Sequence, residues 1–442
     1  MDTKNSTKKV WGFEQILYRV KKLLPEKLFR RLQPIYHFAL AFLAALIYRF
    51  PSRKLFVVGV TGTKGKTSVV ELVSAILEEA GYSTAIASTL RFKVGVESEN
   101  NTLKMTMPGR FFLQRFLRKA LKKKCDYVIL EMTSEGAKQY RHAFIALNAL
   151  IFTNLAPEHI ESHGSYAQYR DAKLSIAHAL ESSHKKNKTI VANKDDKEGA
   201  AFLNIAVSSK CAYRLHDAEP YSLFKDKTDF TWNGVSVHSP LSGAFNIYNM
   251  LAAAFFAKSR GINDAIIRRA LETFRGIPGR MQKINAGQDF TVIVDYAHTP
   301  DSLEKVYDVF QMTQKICVLG STGGGRDKWK RKEMGAIASK YCSKIILTDE
   351  DPYDEDPKEI VNGLIEGISR PIYTVIMDRR AAIHAAFKGA KTGDAVLITG
   401  KGTDPYIMGP ENSKIPWSDA LVAQEELEKV LLEKQTKNEY HG

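Results

Sequence analysis

From Lys54 to about Ile277 short apolar runs alternate with stretches of helical spacing, the pattern of a parallel sheet with crossover helices. Leu55–Val60, Thr84–Ala87, Tyr127–Glu131, Ala149–Thr153 and Thr189–Ala192 read as strands. Helical spacing marks Ser68–Ala80, Phe111–Lys122, Tyr166–Leu180, Ile247–Ser259 and Asp264–Thr273. Between Ala206 and His238 the pattern becomes irregular and strand-like, which predicts a small antiparallel insert. Gly276-Ile-Pro-Gly-Arg280 breaks the series, and a second one follows. Its strands are Thr291–Asp295, Ile316–Leu319, Lys344–Leu347 and Ala395–Thr399; its helices are Ser302–Phe310, Lys330–Lys340, Lys358–Ile365 and Asp378–Phe387. The expected fold is therefore α/β, in two parallel-sheet units at 51–278 and 279–442. The second is Rossmann-like but has no dinucleotide fingerprint.

Residues 1–50 read differently. Phe13 to Leu32 is a basic amphipathic stretch broken at Pro25, and Tyr36–Tyr48 is largely apolar between Pro34 and Pro51. Thirteen residues are short for a membrane span, which needs about twenty. Three readings stand: a helix packed on the first unit, an interfacial helix with basic flanks, and a true anchor. No secretory cleavage pattern is present.

Composition narrows the function classes. A chain of 442 residues is too long for one core, and 44% hydrophobic with 26% charged residues is ordinary for a globular protein. Four scattered cysteines without Cys-x-x-Cys spacing argue against structural zinc or a disulfide framework and fit a reducing cytoplasm. The net charge of +15 suits phosphorylated substrates as well as nucleic acid, and no nucleic-acid module accompanies it. Nine Lys/Arg against three Asp/Glu in residues 1–33 supply part of the excess.

The chemistry concentrates at strand ends, where open α/β sheets place ligands. Val57-Val-Gly-Val-Thr-Gly-Thr-Lys-Gly-Lys-Thr-Ser68 joins a strand to a helix through a glycine-rich turn, the context of a phosphate-binding loop. Gly62, Thr63, Lys64, Gly65 and Ser68 would wrap the phosphates, Lys66 would reach them, and Thr67 would sit on Mg²⁺. Val60 stands where the usual pattern has its first glycine. Glu131 closes an apolar strand and suits Mg²⁺ or its water. His159 and His163 follow the next strand, as metal ligands, phosphate contacts or structural residues. Lys173 by itself reads as a surface lysine. Asn246 and Asn249 open the Ile247 helix, as caps or as readers of an adenine edge. Thr299 or Asp301 caps the next helix, with Asp295 and His298 at a strand end in the cleft. Gly320–Arg331 is a glycine-rich turn whose cations suit a carboxylate or phosphate.

Taken in order, these segments resemble the Mur ligase family, ATP-dependent enzymes that add amino acids to the peptidoglycan precursor. The likeness is greatest to its tripeptide-synthetase branch, and it runs from about Lys54 to Val430. Gly62-Thr-Lys-Gly-Lys-Thr67 matches the family P-loop, with Lys64 where asparagine is usual. Thr153-Asn-Leu, His159 and His163-Gly164 match the next segment, with Glu158 in place of aspartate. Gly279-Arg280-Met281 and Asp295-Tyr-Ala-His-Thr-Pro-Asp301 carry the branch likeness. The resemblance implies a P-loop ATPase domain under a Rossmann-like lid, and a carboxylate activated by ATP as an acyl phosphate before an amine attacks it. It implies Mg²⁺ ligands at Thr67, Glu131 and His159, and catalytic roles for Lys66, His159 and Lys173. It further implies a CO₂-derived carbamate on Lys173, and ATP contacts at Asn249, Arg280, Asp295 and His298. Arg326, Glu350, Asp351, Tyr353, Gly400 and Asp404 then fall where the incoming amino acid is gripped.

Two departures shape the substrate reading. The family's N-terminal UDP-binding domain is expected to be missing, with about fifty basic and apolar residues in its place, so the acceptor is a UDP-MurNAc-peptide held differently or a lipid-linked precursor. Glu350-Asp-Pro-Tyr353 stands where diaminopimelate-adding members carry Asp-Asn-Pro-Arg, and Asp404 replaces a glutamate. An acidic pocket suits a side-chain ammonium, which favours lysine or another diamino acid. The partners expected are that acceptor and a free amino acid, without nucleic acid. The chain is expected to be a cytoplasmic monomer, touching the inner membrane face if residues 1–50 are interfacial. A folylpolyglutamate-synthase-like ligase and an inactive nucleotide-binding scaffold are the alternatives.

Overall fold

The computed structural model describes residues 26–158, 160–325 and 328–441. Two sheets organise the chain. The first has strands β1 (Phe56–Thr61), β2 (Thr84–Ala87), β3 (Arg91–Val94), β4 (Glu97–Asn100), β5 (Tyr127–Glu131), β6 (Ala149–Phe152), β7 (Thr189–Asn193) and β8 (Ser209–Tyr213) in the order β4-β3-β2-β5-β1-β6-β7-β8. All its pairings are parallel except those of β3 with β2 and β4. The central parallel strands β1, β5 and β6 are buried on both faces, which is why they read as apolar runs without alternation. Helices Lys66–Glu79 and Ala244–Ser259 cover one face, and Arg110–Lys122 with Tyr166–Glu181 cover the other. Each fully buried Val, Ile or Leu in these layers contributes about 1.5–3 kcal/mol over exposure to water. Because β1 lies between β5 and β6, a crevice opens at its C-terminal end, directly under the P-loop.

The insert is split. Ser209–Tyr213 joins β7 in parallel instead of turning antiparallel, and only β9 (Tyr221–Leu223), β10 (Thr228–Trp232) and β11 (Val235–Ser239) make the expected antiparallel sheet. The second unit has β12 (Gln282–Ile284), β13 (Thr291–Asp295), β14 (Lys315–Leu319), β15 (Lys344–Leu347), β16 (Tyr373–Val375) and β17 (Ala395–Thr399) in the order β12-β13-β17-β14-β15-β16. Only β12 runs antiparallel. A two-stranded ribbon, β18 (Tyr406–Met408) with β19 (Lys414–Pro416), stands beside this sheet.

Helix Glu26–Ile47 runs through Pro34, where the sequence predicts a boundary. An internal proline costs one backbone hydrogen bond, and packing beyond it holds the helix in place. Ala41, Ala44 and Ala45 are buried, and the Phe144 ring lies 4.9 Å from Phe38 and 5.4 Å from Phe42. The described part of this segment is a helix packed on the first unit, and no described helix is long and apolar enough to cross a membrane. The basic stretch before Glu26 lies outside the described residues.

A second correction concerns the cysteines. Cys317 on β14 and Cys342 at the end of helix Trp329–Tyr341 form a disulfide, with Cα atoms 6.2 Å apart. The β-helix crossover returns the chain over its own strand 25 residues later, a juxtaposition that spacing rules for cysteine pairs do not detect. Cys125 and Cys211 are free.

A phosphate-binding turn beneath a second sheet

Gly65 has φ +81°, and a Cβ there would collide with Asn249 Oδ1, so this turn admits only glycine. The loop is also clamped from β6. Thr63 N donates to Asn154 O at 2.8 Å, Asn154 Oδ1 accepts from Lys64 N at 2.9 Å, and Thr153 Oγ1 donates to Lys64 O at 2.7 Å. The motif itself shows no role for Asn154 and Thr153; the ends of β1 and β6 lying side by side supply one. The helix begins at Lys66, so its first N–H groups and its dipole face the crevice.

Thr67 Oγ1 lies 3.0 Å from Glu131 Oε2, and that oxygen also accepts from Thr89 N at 2.8 Å. Among the described residues no group of three or more His, Cys, Asp or Glu is placed to hold a metal. A Mg²⁺ ion that keeps several waters and takes phosphate oxygens needs fewer protein ligands, and the hydroxyl–carboxylate pair of Thr67 and Glu131 fits such an ion. His159 lies outside the described residues. The His163 Nε2 is 3.1 Å from Ser134 Oγ and 3.2 Å from Glu135.

Lys173 is the largest departure from its isolated reading as a surface lysine. It is 2% exposed, donates to Gly62 O at 2.6 Å and lies over the Tyr169 ring at 4.8 Å. Burial first, and then the charge of Lys66, push its pKa well below the usual lysine range. Lys66 donates to Thr63 O at 2.9 Å and is also lowered by burial. The two replacements noted in the sequence turn out to be partners, since Lys64 Nζ sits 3.0 Å from Glu158 Oε1.

The second sheet closes over this site. His298 Nε2 is 3.6 Å from Glu158, its pKa lowered to about 4 by burial and then by Lys64. Asp295 accepts from Met281 N and Ala297 N, both at 2.7 Å, and Arg280 stacks on Tyr296 at 4.1 Å. In this arrangement Asp295 pins the connecting strap. Thr299 caps helix Pro300–Val309, as expected. Neither asparagine caps the other helix: Gly243 takes that position, and Asn249 Nδ2 donates to Asn246 Oδ1 inside the first turns.

The expected amino-acid pocket gathers at the C-terminal ends of β14, β15 and β17. Glu350 is 2% exposed; Oε1 accepts from Thr322 Oγ1 at 2.9 Å, while Oε2 is buried without a partner among the described residues. Gly400, at φ +111°, has no room for a side chain against that carboxylate. Burial pushes the Glu350 pKa up. The Tyr353 ring packs against Gly324, and Arg326 lies outside the described residues. The pocket is less acidic than the sequence suggests. Asp351 and Asp404 are balanced by Lys401, 2.7 and 3.3 Å away, and by Lys104 from the first unit, 3.5 and 3.3 Å away. No pattern in the sequence singles out Lys104, which sits in an irregular tract after β4.

Residues 60–257 match the Mur ligase middle domain, and residues 279–402 match the Mur ligase glutamate ligase domain. A UDP-N-acetylmuramoyl-L-alanyl-D-glutamate–2,6-diaminopimelate ligase from Syntrophomonas wolfei is 38% identical over 403 residues, covering 88% of this chain and 81% of that protein. A UDP-N-acetylmuramyl-tripeptide synthetase from a Roseiflexus species is 36% identical over 417 residues, covering 88% and 82%. A solved structure of a UDP-N-acetylmuramoyl-L-alanyl-D-glutamate–2,6-diaminopimelate ligase superposes with a TM-score of 0.59 at 27% identity, over 85% of this chain and 78% of that one. With both domain matches in register with the turn, the strap and the second sheet, the chain belongs to the Mur ligase family of ATP-dependent ligases.

Proposed function

We propose that this enzyme adds a diamino acid to a UDP-MurNAc-dipeptide or a closely similar precursor, with residues 51–278 binding ATP and 279–442 the amino acid. The observation that carries the reading is the convergence of Lys64, Lys66 and Lys173 with the Thr67–Glu131 pair on one βα turn. In the reaction, an acceptor carboxylate oxygen attacks the γ-phosphorus and ADP leaves. The neutral amine then attacks the acyl carbon, the C–O bond to phosphate breaks, and the proton lost from nitrogen leaves with the phosphate or to water, giving the amide. Both steps gather negative charge, which the Lys64 and Lys66 ammonium groups and backbone N–H donors stabilise. A bound Mg²⁺, held at Thr67 and Glu131, would neutralise phosphate charge. Asn249, Arg280, Asp295 and His298 are assigned to ATP, and Glu350, Asp351, Tyr353, Gly400 and Asp404 to the amino acid, with His159 and Arg326 retained from the family match. Phosphate release with UDP-MurNAc-L-Ala-D-Glu, tested against lysine, ornithine and diaminopimelate in turn, checks the assignment. Tyr353 in place of an arginine favours lysine or ornithine. No release with any of them, while ATP still binds, would turn the reading toward a lipid-linked or folate-type acceptor.

Lys173 is assigned the carbamate. A lysine must be neutral to attack CO₂, forming an N–C bond and releasing a proton, and its buried setting favours that form. After exchange with ¹³C-bicarbonate, a carbamate carbon signal is expected in the folded enzyme and not in Lys173→Arg. Its absence from the active wild type would remove the assignment.

We assign a cytoplasmic setting with peripheral contact to an anionic membrane. Ile35, Phe38, Phe42 and Leu46 form an exposed stripe on helix Glu26–Ile47, which packs beside helix Arg110–Lys122 with Arg115, Lys122 and Lys124 exposed. Apolar and basic surface side by side suits anionic headgroups. Co-sedimentation with phosphatidylglycerol vesicles is expected, weakened by salt and lost in Phe42→Asp/Leu46→Asp. Equal recovery with and without vesicles would end this assignment.

A further inference from the structure

Lys104 belongs to the first unit, in the tract between β4 and helix Arg110–Lys122, yet its ammonium lies inside the second. It stands 3.3 Å from Asp404 Oδ2 and 3.5 Å from Asp351 Oδ2, and it donates to Tyr406 O at 3.0 Å. Lys401, wholly buried, shares the same two carboxylates and comes from the same unit as they do. Asp351 Oδ1 is fixed by Met408 N at 2.7 Å, so the seat is rigid on its inner side. Among the described residues, Asp351 and Asp404 therefore face the ammonium groups of Lys401 and Lys104, and of these two it is Lys104 that arrives from the other unit. When the units part, the seat keeps Lys401 but loses the Lys104 ammonium from both carboxylates and from Tyr406 O. A half-buried excess carboxylate is unfavourable unless another cation replaces the one that left.

We propose that Lys104 is the chain's own stand-in for the side-chain ammonium of the incoming diamino acid, occupying in the substrate-free enzyme the seat that the family match assigns to that group. The proposal rests on the amino-acid site assigned above and specifies its selectivity. A flexible methylene stem ending in an ammonium is what Lys104 shares with lysine, ornithine and one end of diaminopimelate. The Lys104 and Asp404 side chains are 13% and 20% exposed, so a substrate group can reach the seat as Lys104 withdraws. A closed but substrate-free enzyme is thus capped by its own lysine, and the substrate binds in competition with it. Such competition lowers apparent affinity by the fraction of molecules with the seat empty.

The test is steady-state kinetics of full-length Lys104→Met, with the diamino acid varied and ATP and acceptor saturating. The KM for the diamino acid is expected to fall roughly five- to tenfold, with the KM for ATP unchanged and kcat within about twofold. Asp404→Asn is expected to move the same KM upward, and Lys104→Arg to stay near wild type. A KM that rises in Lys104→Met, or KM values for ATP and amino acid that change together, would make Lys104 a strut between the units and overturn the proposal. If the wild type instead uses an amino acid without a side-chain ammonium, the ligase reading stands and this one falls. No turnover with any amino acid removes both.

Discussion

Lys66→Ala is expected to lower ATP-dependent phosphate release by at least about a hundredfold, the scale of losing one preorganised donor from a charged transition state. Lys66 is the first residue of the helix that follows the turn, and its ammonium already lies against the loop backbone at Thr63 O. Nothing near it replaces that charge at the same point. Lys64 is drawn to Glu158 and Lys173 to Gly62 O. The fold should survive the change, because the turn is held by Asn154, Thr153 and the tight approach of Gly65 to Asn249. Phosphate release and a thermal melt on the same preparation separate the two effects. A variant with an unchanged melt and more than a third of wild-type turnover would show that the ammonium does not act on the phosphates.

Arg379→Leu is expected to destabilise the second unit by about 3–5 kcal/mol, because it leaves the Asp419 carboxylate buried without its partner. Arg379 and Asp419 are 2% and 0% exposed, and the pair is bidentate, at 2.8 and 2.7 Å. The same guanidinium donates to Thr399 O at 2.9 Å, just before Gly400, so it ties the end of β17 to the start of the long C-terminal helix. Urea unfolding followed by Trp417 fluorescence, whose indole donates to Asp419, reports on that joint. A shift worth less than about 1 kcal/mol would mean that water reaches the carboxylate once the arginine is gone. Arg379→Leu/Asp419→Leu is expected to recover much of the loss, since a buried pair replaced on both sides is often neutral.

Much of the architecture was legible because parallel strands buried on both faces leave unbroken apolar runs. Tyr127–Glu131, Thr84–Ala87 and Thr291–Asp295 were read with their observed bounds for that reason. The short exposed strands β4, β16 and β19 carry no such run, and Ser209–Tyr213 starts exposed and is buried only at Tyr213, which hid its pairing partner. Pro34 was read as a boundary because local rules weigh the proline and not the helix packed beyond it.

The site divides along the same line. Glycines, the Lys66-Thr67 dipeptide and the carboxylate closing β5 announce themselves because phosphate binding demands those residue types at fixed spacing on contiguous chain. The sequence alone therefore determined the α/β class, the turn that would hold a nucleotide and the order of the segments around it. Only the tertiary structure decided what depends on distant segments meeting. It paired Lys64 with Glu158, buried Lys173 under the turn, joined Cys317 to Cys342, and sent Lys104 across to Asp351 and Asp404. Each is a contact between residues far apart in the chain, and its energy comes from burial and from charge at a few ångströms, neither of which local pattern records.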